Sequence, residues 1–188
     1  MATGLKSRII YREKTKETSE ANYWEGKYKL LIRAKTIPSP FGSPNMVDTS
    51  TLEDLVETQE FGRTSAGSME VPGAFEKKYK DEMVSNEGKQ LDFCILYGTD
   101  GKGSEGICAF IGSERFTPGE ATDDHLEGTA TVAVQTVPRW IEDNYDVAVT
   151  EDENGYPTEI TLTAKPTENA TFKYCCSLEK HTFLAMMI

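Results

Sequence analysis

The chain has 188 residues, 38% of them hydrophobic and 27% charged, with a formal net charge of −11 at pH 7. That is enough chain for one domain with a full core, or one domain plus a short arm. It holds no run of about 18 apolar residues that would cross a membrane as a helix, its opening MATGLKSRIIYREKTKE lacks the apolar stretch of a secretory signal, and its acidic total argues against sequence-independent nucleic-acid binding.

These features place the protein in the cytosol, or in a particle assembled there. The charge is unevenly spread. Residues 1–40 carry nine Lys/Arg against four Glu, and the other 148 residues carry eleven basic against twenty-seven acidic groups. A basic end and an acidic body can attract each other between copies of one molecule. A solvated basic arm on an acidic domain fits the same numbers. The arm is drawn at 1–24, the β domain at 25–165 and a C-terminal segment at 166–188.

KYKLLIRAKTI (27–37) predicts a strand stopped by Pro38. From Pro38 to Gly67 the spacing of Pro38, Pro40, Gly42 and Pro44 predicts a long extended loop. Loops of this length are usually functional or disordered. Phe41, Leu52, Leu55, Val56 and Phe61 within it call for burial somewhere, and TSTLEDLVE also suits a short helix capped by Thr49 or Ser50 with Glu53 in the capping-box position.

SMEVPGAF (68–75) reads as a strand broken at Pro72-Gly73. The one strong helix covers about 75–86, where Phe75, Tyr79 and Met83 fall on one face and Gly88 supplies the stop. QLDFCILYG and GICAFIGSERF are almost continuously apolar, the pattern of strands covered on both faces. Cys94 and Cys108 in these runs are expected reduced and buried. PGEATDDH reads as a loop. LEGTATVAVQTVP (126–138) alternates as a two-faced strand. YDVAVTEDENGYPTEITLTAKP is a hairpin turning at Asn154-Gly155. The chain closes on TFKYCCSLEKHTFLAMMI, whose terminal Phe, Leu, Met and Ile are costly to expose on a free monomer. Cys175 and Cys176 are read as neighbouring strand residues on opposite faces rather than a redox pair. Trp24 and Trp140 are read as core anchors at strand boundaries. The sum is a mainly β fold, a sandwich or barrel of about seven strands with one packed helix.

Four stretches invite a chemical reading. Gly101-Lys102-Gly103-Ser104-Glu105-Gly106 is a literal G-x-G-x-x-G, but a dinucleotide site needs a helix opening at its end, and the next residues are the β-prone Ile107-Cys108-Ala109-Phe110-Ile111. The glycines are read as punctuation between two core strands. Asp123-Asp124-His125 has no nucleophile placed beside it and reads as a solvated turn. Asp152-Glu153-Asn154-Gly155 fails as a calcium loop, since counting from the glycine puts Thr150 and Thr161 at the first and twelfth ligand positions. Four cysteines without a C-x-x-C and only two histidines argue against a zinc site. No catalytic constellation, metal site or cofactor is expected, and the chain is not read as an enzyme.

The order of elements resembles the major tail proteins of long non-contractile-tailed bacteriophages. The resemblance is carried by LLIRAKTIPSPFG, then VDTSTLEDLVETQEFGRTSAGSMEVPGAFEKKYKDEMV, then LDFCILYG with GICAFIGS, then LEGTATVAVQTV, and it covers roughly residues 25–137. It implies the tail-tube fold, shared with the tube proteins of contractile tails and type VI secretion systems. It also implies hexameric rings that stack on a tape measure protein, partnered by tail tip or baseplate and tail terminator proteins. The assembled virion tail is built in the host cytoplasm and passes DNA without binding it specifically. A negative channel wall suits that passage, and open strand edges suit pairing around a ring. On this reading Phe41, Leu52, Leu55 and Phe61 of the 38–67 loop, with Arg8 and Arg12 of the basic arm, are inter-subunit contacts. A terminator or baseplate tube initiator of the same fold, and an unrelated β-sandwich binding module, are the competing readings.

Overall fold

The computed structural model describes residues 6–15, 22–42, 44–49, 59–64, 67–121 and 126–165. Among the described residues eleven strands and one α-helix occur in chain order: β1 (Arg8–Glu13), β2 (Gly26–Leu30), β3 (Pro44–Asp48), β4 (Gln59–Thr64), β5 (Ser68–Ala74), α1 (Lys77–Asn86), β6 (Leu91–Tyr97), β7 (Gly106–Ala121), β8 (Leu126–Val134), β9 (Arg139–Trp140), β10 (Tyr145–Glu151) and β11 (Pro157–Ala164). A short 3-10 turn, Glu142–Asn144, joins β9 to β10. The fold is mainly β, as the composition of the strands implies.

Nine strands make one antiparallel sheet in the order β10-β11-β2-β1-β6-β7-β8-β5, with β9 added to β7. The register explains the continuous apolar runs. β1 lies against β6 with Ile9 opposite Ile95 and Ile10 opposite Cys94, and β6 lies against β7 with Phe93 opposite Phe110 and Cys94 opposite Ala109. Successive side chains point to opposite faces, and both faces are covered. Ile9, Tyr11, Phe93, Ile95 and Phe110 pack with Tyr79 and Met83 of α1 and with Met69, Val71 and Val132. Ile10, Cys94, Leu96, Ile107 and Ala109 pack instead with Tyr28 of β2 and Ile160 and Leu162 of β11. The sheet therefore folds over itself, and its crease is the short β1–β2 pairing of Ile10 with Leu30 and Tyr11 with Lys29. Cys94 and Cys108 are free thiols inside this core, where burial pushes Cys108 up to about 12.

The chain leaving β2 ties the far end of the sheet back. Leu31 N–H donates to Ile9 O, Lys35 N–H to Pro72 O and Ala74 N–H to Arg33 O. Ala34 bridges Gly73 in antiparallel fashion. A Cβ on Gly73 would meet Arg33 O at 2.6 Å, so only glycine permits that approach. Pro72 does not break β5. It lacks only an N–H, and its carbonyl is the group used on this side of the strand.

Three expectations are corrected here. Residues 8–13 are not part of an N-terminal arm but a strand flanked by β2 and β6. The 38–67 stretch is not wholly extended loop, because β3 and β4 pair within it as a second, two-stranded sheet. PGEATDDH is not wholly loop, since β7 continues through Pro118 to Ala121 with a register shift between the two. Residues 166–188, including Cys175 and Cys176, and the stretch Asp123-Asp124-His125 lie outside the described residues.

Candidate assembly surface

The glycine-rich stretch joins β6 to β7. Gly101 and Gly103 have φ of 71° and 84°, the left-handed region that favours glycine, and Asp100 Oδ1 accepts from Lys102 N–H at 2.9 Å and Ser104 N–H at 3.4 Å. Gly106 opens a strand rather than a helix. The Asp152–Gly155 stretch is likewise a hairpin turn, with Asp152 Oδ1 accepting from Asn154 and Tyr156 N–H groups. Among the described residues no group of three or more His, Cys, Asp or Glu is placed to hold a metal, and no helix is long and apolar enough to cross a membrane.

An open cleft of about 640 Å³ is lined by Arg8, Leu30, Ile32, Arg33, Lys35 and Tyr156, among others. Three of its four lining cations, all but Lys6, are matched inside the chain. Arg8 pairs with Glu151 at 2.9 Å, Arg33 with Glu76 at 3.0 Å, and Lys35 with Glu127. Arg33 also lies over the Tyr156 ring at 3.9 Å.

The two arginines expected at subunit contacts are both paired within the chain. Arg8 also donates to Gly101 O, and its side chain is only 11% exposed. Arg12 donates to the fully buried Asp92 at 3.1 Å and to the carbonyls of Glu25 and Tyr23, with its guanidinium 4.9 Å from the Tyr28 ring centre. Asp92 is further held by Tyr23 Oη at 2.9 Å. Both arginines are therefore consumed in holding the fold together.

The surface also leaves several large apolar groups open. In the β3–β4 hairpin Met46 stands opposite Phe61 and Val47 opposite Glu60. Met46 is 53% and Val47 49% exposed. They are adjacent in a strand, so they point to opposite faces, and the hairpin shows apolar surface on both. It pairs with no strand of the large sheet. Leu52 and Leu55 lie outside the described residues. Phe41 is half-exposed and stacks on Trp140 with ring centres 5.7 Å apart. Trp140, expected in the core, is itself half-exposed, while Trp24 is buried as expected. The difference is tertiary: β9 is a two-residue strand paired with β7, and its indole packs on Phe41 and Tyr97 while half of it stays open.

Among the described residues two strand edges are also open. β10 ends the sheet and is bonded only to β11. β5 ends the other side, and its contact with residues 33–35 covers only residues 72–74. Open edges carry unpaired N–H and C=O groups suited to another strand.

One buried carboxyl stands apart. Glu114 of β7 is 3% exposed, accepts from Asn86 Nδ2 at 3.1 Å, and leaves Oε2 without a partner. Burial, opposed by the Asn86 bond and reinforced by Glu82 nearby, pushes its pKa up to about 7. Glu82 in turn accepts from the Tyr11 hydroxyl at 2.7 Å. The group fastens α1 to β7 and β1.

No protein-family model matches the chain, and no curated protein matches it. Among solved structures, one described as "Structure of a type six secretion system protein" is similar over 82% of this chain and 92% of that one, at 14% identity and a TM-score of 0.38. At that level neither function nor fold detail transfers.

Proposed function

We propose that this chain is a structural subunit that polymerises into a tube, as the major tail protein of a long non-contractile phage tail. The observation that carries the reading is the β3–β4 hairpin. A lone two-stranded hairpin is marginal in water. Among the described residues this one pairs with no strand of the main sheet, and it exposes Met46 and Val47 on opposite faces, which suits it to be covered by another surface. The open edges of β10 and β5 supply a second means of joining copies, because strand pairing across subunits satisfies the backbone at once. A head-to-tail contact between different surfaces generates rings or filaments rather than closed pairs.

On this reading the chain is not an enzyme. Its partners are copies of itself, a tape measure protein, and the tip and terminator proteins that start and stop the tube. It acts in the virion tail after assembly in the host cytoplasm. DNA passes through without adhering, which the acidic balance of residues 41–188 favours. Negative-stain electron microscopy across a concentration series, with and without preformed tail tips, tests the proposal. Hollow tubes or stacked six-fold rings are expected. Rings that stop at one layer would assign the terminator role, and a monomer at every concentration with tips present would overturn the reading.

A further inference from the structure

The half-exposed indole of Trp140 sits at a junction. It contacts Phe41 at 5.7 Å and Tyr97 at 5.7 Å between ring centres, and a Cβ on Gly106 would strike it at 2.8 Å. Val137, three residues earlier, is 81% exposed. Beside β9 a pocket of about 200 Å³ is lined by Tyr23, Trp24, Ala109, Ile111 and Val137, with Thr136 and Arg139 adding polar groups to its wall. Registry makes the two faces distinct, since Trp140 lies opposite Cys108 and Arg139 opposite Ala109. β9 has a strand partner on one side only. The result is a largely apolar strip on the margin of the sheet, with aromatic surface on one side and a small pocket of mixed apolar and polar lining on the other.

The described chain ends beside this strip. Lys165 N–H donates to Asn144 O at 2.8 Å, and Lys165 Nζ to Glu142 O at 3.0 Å. These are the first and last residues of the 3-10 turn that begins two positions after Trp140. The 23 residues beyond Lys165 finish in Phe183, Leu184, Ala185, Met186, Met187 and Ile188, the most apolar stretch outside the described residues.

We infer that residues 183–188 of the same chain dock across β9, covering Trp140 and Val137. Seventeen residues separate Lys165 from Phe183, and a flexible chain of that length spans about 20–25 Å, enough for a target that starts beside Lys165. A tether of this kind holds its end at about millimolar effective concentration, which favours the chain's own segment over that of a second copy in dilute solution. Flexible Met and Leu side chains suit an irregular apolar strip flanked by aromatic rings, where methionine sulfur makes favourable contacts. The inference does not depend on the tube reading, because it concerns the free subunit.

The test uses the full chain and a full-length variant, F183S/L184S/M187S. Trp24 is buried, so iodide quenching of tryptophan fluorescence reports chiefly on Trp140. In the unaltered protein Trp140 is expected to resist quenching, independently of protein concentration. In the variant that protection is lost and the emission shifts to the red. The reciprocal substitution, Trp140→Ala, is expected to speed tryptic cleavage after Lys180 while far-UV circular dichroism is unchanged. Equal quenching in both proteins, with unchanged cleavage at Lys180, would overturn the inference. Protection that appears only as concentration rises would overturn it too, by assigning the contact to a second copy.

Discussion

Strands β6 and β3 are both rich in apolar residues, and they meet opposite fates. In β6, Leu91 through Leu96 are buried without interruption, aspartate included. In β3, Met46 and Val47 stand open on opposite faces of a hairpin. The difference is supplied by neighbours. β6 has β1 and β7 beside it and an apolar layer on each face. β3 has only β4. An apolar strand with both faces covered stabilises its own domain. One with both faces bare raises the free energy of the isolated chain, and covering it by another surface would lower that free energy.

The contrast can be broken most severely at the centre. Arg12→Ala leaves Asp92 buried without its cation, and removing one partner of a buried pair costs about 3–5 kcal/mol. Urea unfolding should show that loss, and assembly should fail with the fold. Phe93→Ala, which removes a ring stacked 5.5 Å from Phe110, should cost a similar amount, about 3–5 kcal/mol, with the same readout. Gly73→Ala forces Arg33 O and Ile32 away from β5 and should cost about 1–3 kcal/mol, loosening the tie between residues 31–35 and the sheet.

Glu114 gives a smaller, pH-dependent effect. Its folded pKa lies above its unfolded value, so ionisation is harder in the folded protein than in the unfolded chain. The stability this group contributes is full below about pH 4.5, declines as the pH rises to about 7, and is level above that. Glu114→Gln should match the unaltered protein at low pH, exceed its stability above pH 7, and flatten that part of a melting-temperature profile. Glutamine keeps an oxygen for Asn86, so loss of packing does not obscure the result.

Much of this organisation can be read from the residues themselves. The helix is expected at about 75–86 and found at Lys77–Asn86. Asn154-Gly155 turns the last hairpin, with Gly155 at φ 77°. The apolar runs around Cys94 and Cys108 are buried on both faces. These features are local, set by periodicity, turn chemistry and continuous hydrophobicity. What escapes the sequence depends on distant partners. RIIYRE looks like part of a basic arm until Arg8 meets Glu151 and Arg12 meets Asp92, 143 and 80 positions away. The β3–β4 hairpin hides behind Pro38, Pro40, Gly42 and Pro44, which suppress strand signals at its start. Trp140 is exposed because β9 lies at a margin, and no local pattern records where a sheet ends. Of the contact residues expected from the sequence, Phe41 is found partly open, Arg8 and Arg12 are turned inward, and the backbone of Phe61 is paired opposite Met46.

The smallest expected effect on folding accompanies the largest on assembly. Met46→Asp with Val47→Asp alters only exposed positions of a hairpin outside the core, so stability should stay within about 0.5 kcal/mol per site. The most direct measurement compares this double variant with the unaltered protein by sedimentation and negative-stain microscopy, at a concentration where the unaltered chain forms rings or tubes. The account predicts a folded subunit with an unchanged urea midpoint that no longer assembles. Normal rings or tubes from the double variant would contradict it.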